Sequence, residues 1–269
     1  MNPWLVFAAL GATAGLLAGM FGIGGGVVLV PVFHYLFKDM APGYSMHLAV
    51  ATSSACIVLS TIASVLTHHQ KGAVKWKSVL YFLPGIVVGA GAGSVVASHF
   101  PGWILTAIFA VFELYFATDV LFSNPRQQPS TSSDFSFLRI FPVALLIGML
   151  SAFVGIGGGS LMVPVLMRYG EPFVRAIGTS SALGLAISAA SALGYAFAGQ
   201  GIALPSPRLG FIYLPAFLGA GVFALLAAPF GARLVHAIPA KQGRRLFACL
   251  LYLVGFDMLR ELAGHFLQP

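Results

Sequence analysis

The stretch Gly15-Leu-Leu-Ala-Gly-Met-Phe-Gly-Ile-Gly-Gly-Gly-Val-Val-Leu-Val-Pro-Val-Phe33 is met again as Gly148-Met-Leu-Ser-Ala-Phe-Val-Gly-Ile-Gly-Gly-Gly-Ser-Leu-Met-Val-Pro-Val-Leu166. The two copies are in register: Gly15 with Gly148, Gly22 with Gly155, Gly24 to Gly26 with Gly157 to Gly159, Pro31 with Pro164. Three consecutive glycines are a poor helix interior, since each costs about 1 kcal/mol relative to Ala. Carrying that cost twice at equivalent places points to a purpose. In lipid, unwound backbone is tolerated only where protein surrounds it or it lines a cavity. Both Gly-rich turns are therefore expected to wall one buried site.

Outward from these turns the chain is apolar. Mean hydropathy is +0.93 and only 8% of the 269 residues are charged, a composition that would leave a soluble domain with large exposed apolar patches. Ser78 to Phe112, Ile140 to Met167, Ala176 to Pro207 and Leu209 to Ala232 hold no Lys, Arg, Asp or Glu. Each exceeds the roughly 20 residues that span a bilayer. An all-α integral membrane protein follows, with the lipid bilayer as its main partner. The net charge of +7 does not indicate nucleic acid, because the basic residues sit in short connections between apolar runs. Cys56 and Cys249 lie inside apolar spans and read as buried small hydrophobes, with no metal or disulfide spacing. The start, Met1-Asn-Pro-Trp, lacks a basic region and belongs to a repeated segment, so it is read as part of the fold.

A continuous helix from Pro3 to Phe37 would be roughly 50 Å long against a core of about 30 Å, so it is expected to break at Gly22 to Gly26. Spans follow at about His47 to Thr67, Val79 to Ala97 and Trp103 to Phe122. Residues 123–136, rich in Ser, Pro and Gln, form a linker. The second half then repeats the plan: a broken segment from Phe137 to Tyr169, and spans near Ala176 to Ala198, Phe211 to Val235 and Leu246 to Leu262. Val50-Ala-Thr-Ser-Ser-Ala55 answers Ile177-Gly-Thr-Ser-Ser-Ala182, Leu83-Pro84 answers Leu214-Pro215, and Asp119 answers Asp257. The division expected is repeat 1 over 1–122, the linker, and repeat 2 over 137–269, together one membrane domain.

The basic residues decide how the repeats face. If each Gly-broken segment threads straight through, Lys and Arg divide seven and seven. If each re-enters and leaves on its own side, Lys71, Lys75, Lys77, Arg126, Arg139, Arg168, Arg175, Arg233, Lys241, Arg244 and Arg245 share one side, against Lys38, Arg208 and Arg260. Eleven against three is the asymmetry of a cytoplasmic face. The repeats are then inverted, a plan common among transporters whose broken helices meet near the midplane.

The chemistry at such a meeting point is anion binding. Open N–H groups at Gly25, Gly26 and Val27, and at Gly158, Gly159 and Ser160, would face the positive end of each second half-helix. Gly24 and Gly157 let an anion approach the backbone closely, although the same Gly run also suits close helix packing. Thr52, Ser53, Thr179 and Ser180 offer equivalent hydroxyls on the following helix, or bond back to their own turn. Arg175 precedes the second pair, either to draw anions in or to set orientation. Glu113 lies mid-span, where a carboxylate suggests a proton relay, but its counterpart is Leu251. No nucleophile set, metal cluster or nucleotide fingerprint is recognisable, because Gly22-x-Gly24 lacks the surrounding strand and helix. No cofactor and no enzyme activity are expected. Small-residue faces such as Gly85 to Gly93 suit packing within one chain or between two copies, which leaves a homodimer open.

The paired Gly-Ile-Gly-Gly-Gly segments, each followed by Pro, with Ala51-Thr-Ser and Gly178-Thr-Ser downstream, resemble the TauE/SafE family over Leu10 to Leu262. The resemblance implies a multi-pass transporter of the bacterial plasma membrane that exports sulfite or moves organosulfonates and related sulfur anions. The residues alone indicate only a small anion. Thiosulfate or another small anion, and a receptor or assembly subunit that binds without transport, are the other readings. The copies are not identical: Ser160 stands where the first has Val27, and Arg175 where it has Leu48.

Overall fold

The computed structural model describes residues 3–21, 24–122, 137–234 and 240–267. They form ten helices: α1 (Pro3–Phe21), α2 (Gly26–Phe37), α3 (Ser45–Gln70), α4 (Trp76–Ala97), α5 (Gly102–Phe122), α6 (Phe137–Val154), α7 (Gly159–Arg168), α8 (Phe173–Ala198), α9 (Leu214–Leu234) and α10 (Ala240–Leu267). Six are long and apolar enough to cross a membrane by length and composition: α3, α4, α5, α6, α8 and α9. The expected linker, 123–136, lies outside the described residues.

Helix boundaries follow local chemistry. Gly24 and Gly25 between α1 and α2 have φ of 83° and 77°, and Gly155, Gly157 and Gly158 between α6 and α7 have 72°, 71° and 70°. This left-handed region suits Gly alone among residues without a short polar side chain. The Gly25 carbonyl accepts from Leu29 N at 3.2 Å and the Gly158 carbonyl from Met162 N at 3.0 Å, so each of these glycines opens the next helix. Helix α3 runs further than hydropathy suggested and takes in His68 and His69 before Gly72 (φ 65°) ends its last turn. A feature not anticipated is the antiparallel pair β1 (Arg208–Leu209) and β2 (Ile212–Tyr213). Arg208, read only as a marker of sidedness, donates to the carbonyls of Gly199, Gly210 and Ile202 and holds this loop together.

Close packing rests on small residues. Helix α1 lies along α9, where a Cβ at Gly11 or Gly15 would overlap the carbonyl oxygens of Ala220 and Ala224. Helix α4 lies along α6 in the same manner, through Gly85, Gly89 and Gly93 against Phe141 to Ala152. That stripe is therefore used inside the chain, as membrane helices use small residues to bring backbones together. Both pairs run parallel, since residue numbers rise together along each contact. Helices α3 and α8 pack against each other, with α2 against α3, α7 against α8, and α5 against α10.

Candidate functional site

The two glycine turns meet in the interior. A Cβ at Gly26 would overlap the Gly155 carbonyl oxygen and lie 2.8 Å from Ile156 Cα, and one at Gly24 would lie 3.1 Å from the Ile156 carbonyl oxygen. Gly24, Gly25 and Gly26 and Gly155 through Gly159 are all buried. Because Leu29 N and Met162 N make the first full-turn bonds, the N–H groups of Gly26, Val27, Gly159 and Ser160 have no intrahelical acceptor. The side chain of Ser160 lies outside the described residues.

Of the paired hydroxyls, the serines are bonded to these turns and the threonines to the starts of neighbouring helices. Thr52 Oγ1 accepts from Tyr213 N just before α9, and Thr179 Oγ1 accepts from Lys75 N just before α4, both at 3.0 Å. Each threonine thus satisfies one open N–H at the start of a neighbouring helix and keeps its own O–H as a donor. Ser53 Oγ donates to the Gly155 carbonyl and Ser180 Oγ to the Gly159 carbonyl, both at 3.2 Å. All four side chains are fully buried. Arg175 is not brought to the turns: it is exposed in the first turn of α8.

Sequence reasoning passed over Ser151, the residue that stands out most in the structure. It is 3% exposed, its hydroxyl has no hydrogen-bond partner, and a Cβ on Gly158 would lie 3.0 Å from its Oγ. A free buried hydroxyl thus sits beside the start of α7. Its counterpart in the first copy is Ala18, so no duplicated polar pair marks it in the sequence. Helices α3 and α8 carry further buried hydroxyls, Ser64 of one donating to Ser181 of the other at 3.3 Å. The density of Ser and Thr on these two helices was the available signal.

Ties at the ends of the short helices were also unforeseen. At the end of α2, His34 Nε2 pairs with Glu261 Oε1 at 3.0 Å and Lys38 Nζ donates to the same oxygen at 2.9 Å. Tyr35 donates to Asp257 at 2.7 Å. Beyond α7, buried Glu171 pairs with Lys75 and accepts from Ser78.

A helical fold with six candidate spans, carrying buried glycine turns and hydroxyls, defines a multi-pass membrane protein. The chain belongs to the family described as "Sulfite exporter TauE/SafE", whose profile matches residues 7–258. A protein of Haemophilus influenzae named "Probable membrane transporter protein" is 34% identical over 257 residues, covering 94% of this chain and 97% of its own length. A probable membrane transporter protein of Methanocaldococcus jannaschii is 25% identical, with 93% of each chain covered. An Arabidopsis thaliana protein named "Sulfite exporter TauE/SafE family protein 6" is 26% identical over 43% of this chain and 26% of its own. No solved structure gives a significant match.

Proposed function

We propose that the protein is a secondary transporter that exports sulfite or a closely related small sulfur oxyanion across a bacterial plasma membrane. The anion is held between the two glycine turns, by the N–H groups that open α2 and α7 and by hydroxyls of Ser151, Thr52, Ser53, Thr179 and Ser180. The observation that carries this reading is the unpartnered, buried Ser151 hydroxyl beside Gly158, at a helix start whose dipole favours an anion. In the state described the turns are packed against each other. Opening would free Ser53 and Ser180 to exchange a carbonyl for an anion oxygen. Arg175 lies outside this set and acts at most at the entrance.

Helix directions support an inverted duplication. Helices α3 and α9 start on one side, where Thr52 meets Tyr213, and α4 and α8 start on the other, where Thr179 meets Lys75. With α1 parallel to α9 and α6 parallel to α4, α1 and α6 run oppositely. Helix α2 leads back to the start of α3, the side from which α1 sets out. Helix α7 leads back to Glu171, which meets Lys75 and Ser78 on the side where α6 begins. Exchanging α1–α5 for α6–α10 also turns the α1–α9 and α3–α9 contacts into α6–α4 and α8–α4. On this reading the units are 1–122 and 137–269, related by an axis in the membrane plane.

Export then needs no nucleotide, since an inside-negative potential drives an anion outward with about 2.3 kcal/mol per charge per 100 mV. Sulfite efflux from proteoliposomes tests the proposal, with thiosulfate and taurine as competitors. Efflux above protein-free vesicles is expected. Binding without efflux would favour a receptor instead.

A further inference from the structure

We infer that Glu113, in the middle of α5, is a proton-binding site inside the membrane. It holds a proton in this packed state and exchanges it with water when α5 and α10 move apart. Glu113 is 0% exposed, and neither carboxyl oxygen has a hydrogen-bond partner. Phe109, Ala110, Phe116 and Ala117 are buried beside it, and the other buried polar residue on this face, Thr106, is about two turns away and bonded back to the Gly102 carbonyl. Helix α10 closes over it at Gly255, where a Cβ would lie 2.9 Å from the Leu114 side chain and 3.4 Å from Glu113 Cβ.

The charged and titratable groups on the elements around α5 are engaged elsewhere or remote. On α10, Tyr252 is bonded to Thr118, Asp257 to Tyr35 and Glu261 to His34 and Lys38. Arg260 is exposed, as is Cys249, which was expected to be buried; Lys241, Arg244 and Arg245 precede Gly255 by at least ten residues, and His265 follows it by ten. Helix α3 has no Lys, Arg, Asp or Glu; its His47 is bonded to the Phe100 carbonyl, its Cys56 lies against the Phe217 carbonyl, and His68 and His69 end the helix. Arg139 of α6 is exposed, and on α5 itself Tyr115 is exposed and Asp119 lies near the end.

An ionised carboxylate without partner or water is strongly disfavoured, and such a group takes up a proton instead. The balance is simple: one carboxylate oxygen gains a proton as an O–H bond of hydronium breaks and leaves water, and release is the reverse. Packing does not demand a carboxyl here, because the matching place on α10 holds Leu251, also fully buried. The acid is thus an addition on one side of the fold, which suits a proton bound and released during the transport cycle. The inference stands whichever anion is carried.

The test is infrared spectroscopy of wild type and Glu113→Gln in lipid vesicles at neutral pH, with no anion added. Wild type is expected to show the carbonyl stretch of a protonated carboxylic acid, lost in the variant and shifted by D2O within minutes. Glu113→Leu serves equally as the reference, given Leu251. Absence of the wild-type band would overturn the proposal, since Glu113 would then be ionised. A band untouched by D2O after a day would also overturn it, as the mark of a sealed structural acid. Both outcomes are independent of sulfite flux, so they are read separately from the fate of the anion site.

Discussion

Ser151→Ala separates anion binding from packing more sharply than any other change in this chain. The Ser151 hydroxyl is buried and unpartnered, so its removal deletes no bond of the described state. The structural bond at this residue is made by its carbonyl, which accepts from Gly155 N at 2.8 Å and survives the change. Ala18 holds the matching place in the first copy, so Ala is compatible with the same backbone. Removing an unsatisfied buried hydroxyl is expected to leave thermal stability unchanged or raise it by about 1 kcal/mol. With the anion bound, the same hydroxyl donates to a charged oxygen, a bond worth about 1.5–3 kcal/mol. At about 1.4 kcal/mol per decade, half-saturation for sulfite should rise roughly 10- to 150-fold. The assay pairs sulfite efflux from proteoliposomes, over a concentration series, with thermal unfolding in detergent. Unchanged half-saturation would refute the placing of the anion at α7, and a drop in stability would show that the hydroxyl serves packing.

Other changes follow from the same contacts. Lys75→Met strips buried Glu171 of its cation; it should cost about 2 kcal/mol of unfolding free energy, below the value for a fully buried pair because Lys75 is partly exposed. Gly89→Ala forces a Cβ into the Leu145 carbonyl, whereas Gly91→Ala meets nothing within 4 Å. The first should lose about 1–3 kcal/mol and the second stay within about 1 kcal/mol of wild type, as read by thermal melts of the two proteins. Thr52→Val and Thr179→Val each leave a backbone N–H, of Tyr213 or Lys75, without its acceptor. A loss of about 1–3 kcal/mol is expected for each, measured in the same melts.

The helical membrane class was legible because it depends on composition along the chain: charge-free runs long enough to cross lipid mark α4, α6, α8 and α9 without knowledge of any contact. What escaped was set by contacts between distant residues. Thr52 and Thr179 were legible as a pair but not as acceptors for Tyr213 and Lys75, since nothing local says which helix start will lie opposite. Ser151 was hidden by having Ala18 as its counterpart, and Glu261 by lying 227 positions from its partner His34. The Gly85 to Gly93 stripe could be recognised as a packing surface from its spacing. Its use against α6 required the fold.

Efflux of sulfite from proteoliposomes under an imposed potential, with wild type beside Gly158→Ala, most directly tests the anion site between the glycine turns. A Cβ at Gly158 would sit 3.0 Å from Ser151 Oγ and press on the Ile187 side chain, at φ of 70°. The strain is about 1–3 kcal/mol, so a folded variant is expected by size-exclusion profile, with the space for an anion oxygen filled. Voltage-driven efflux in wild type and its loss in the folded variant are the expected results. Equal efflux from both would contradict the site, and would leave the glycine turns as packing features alone.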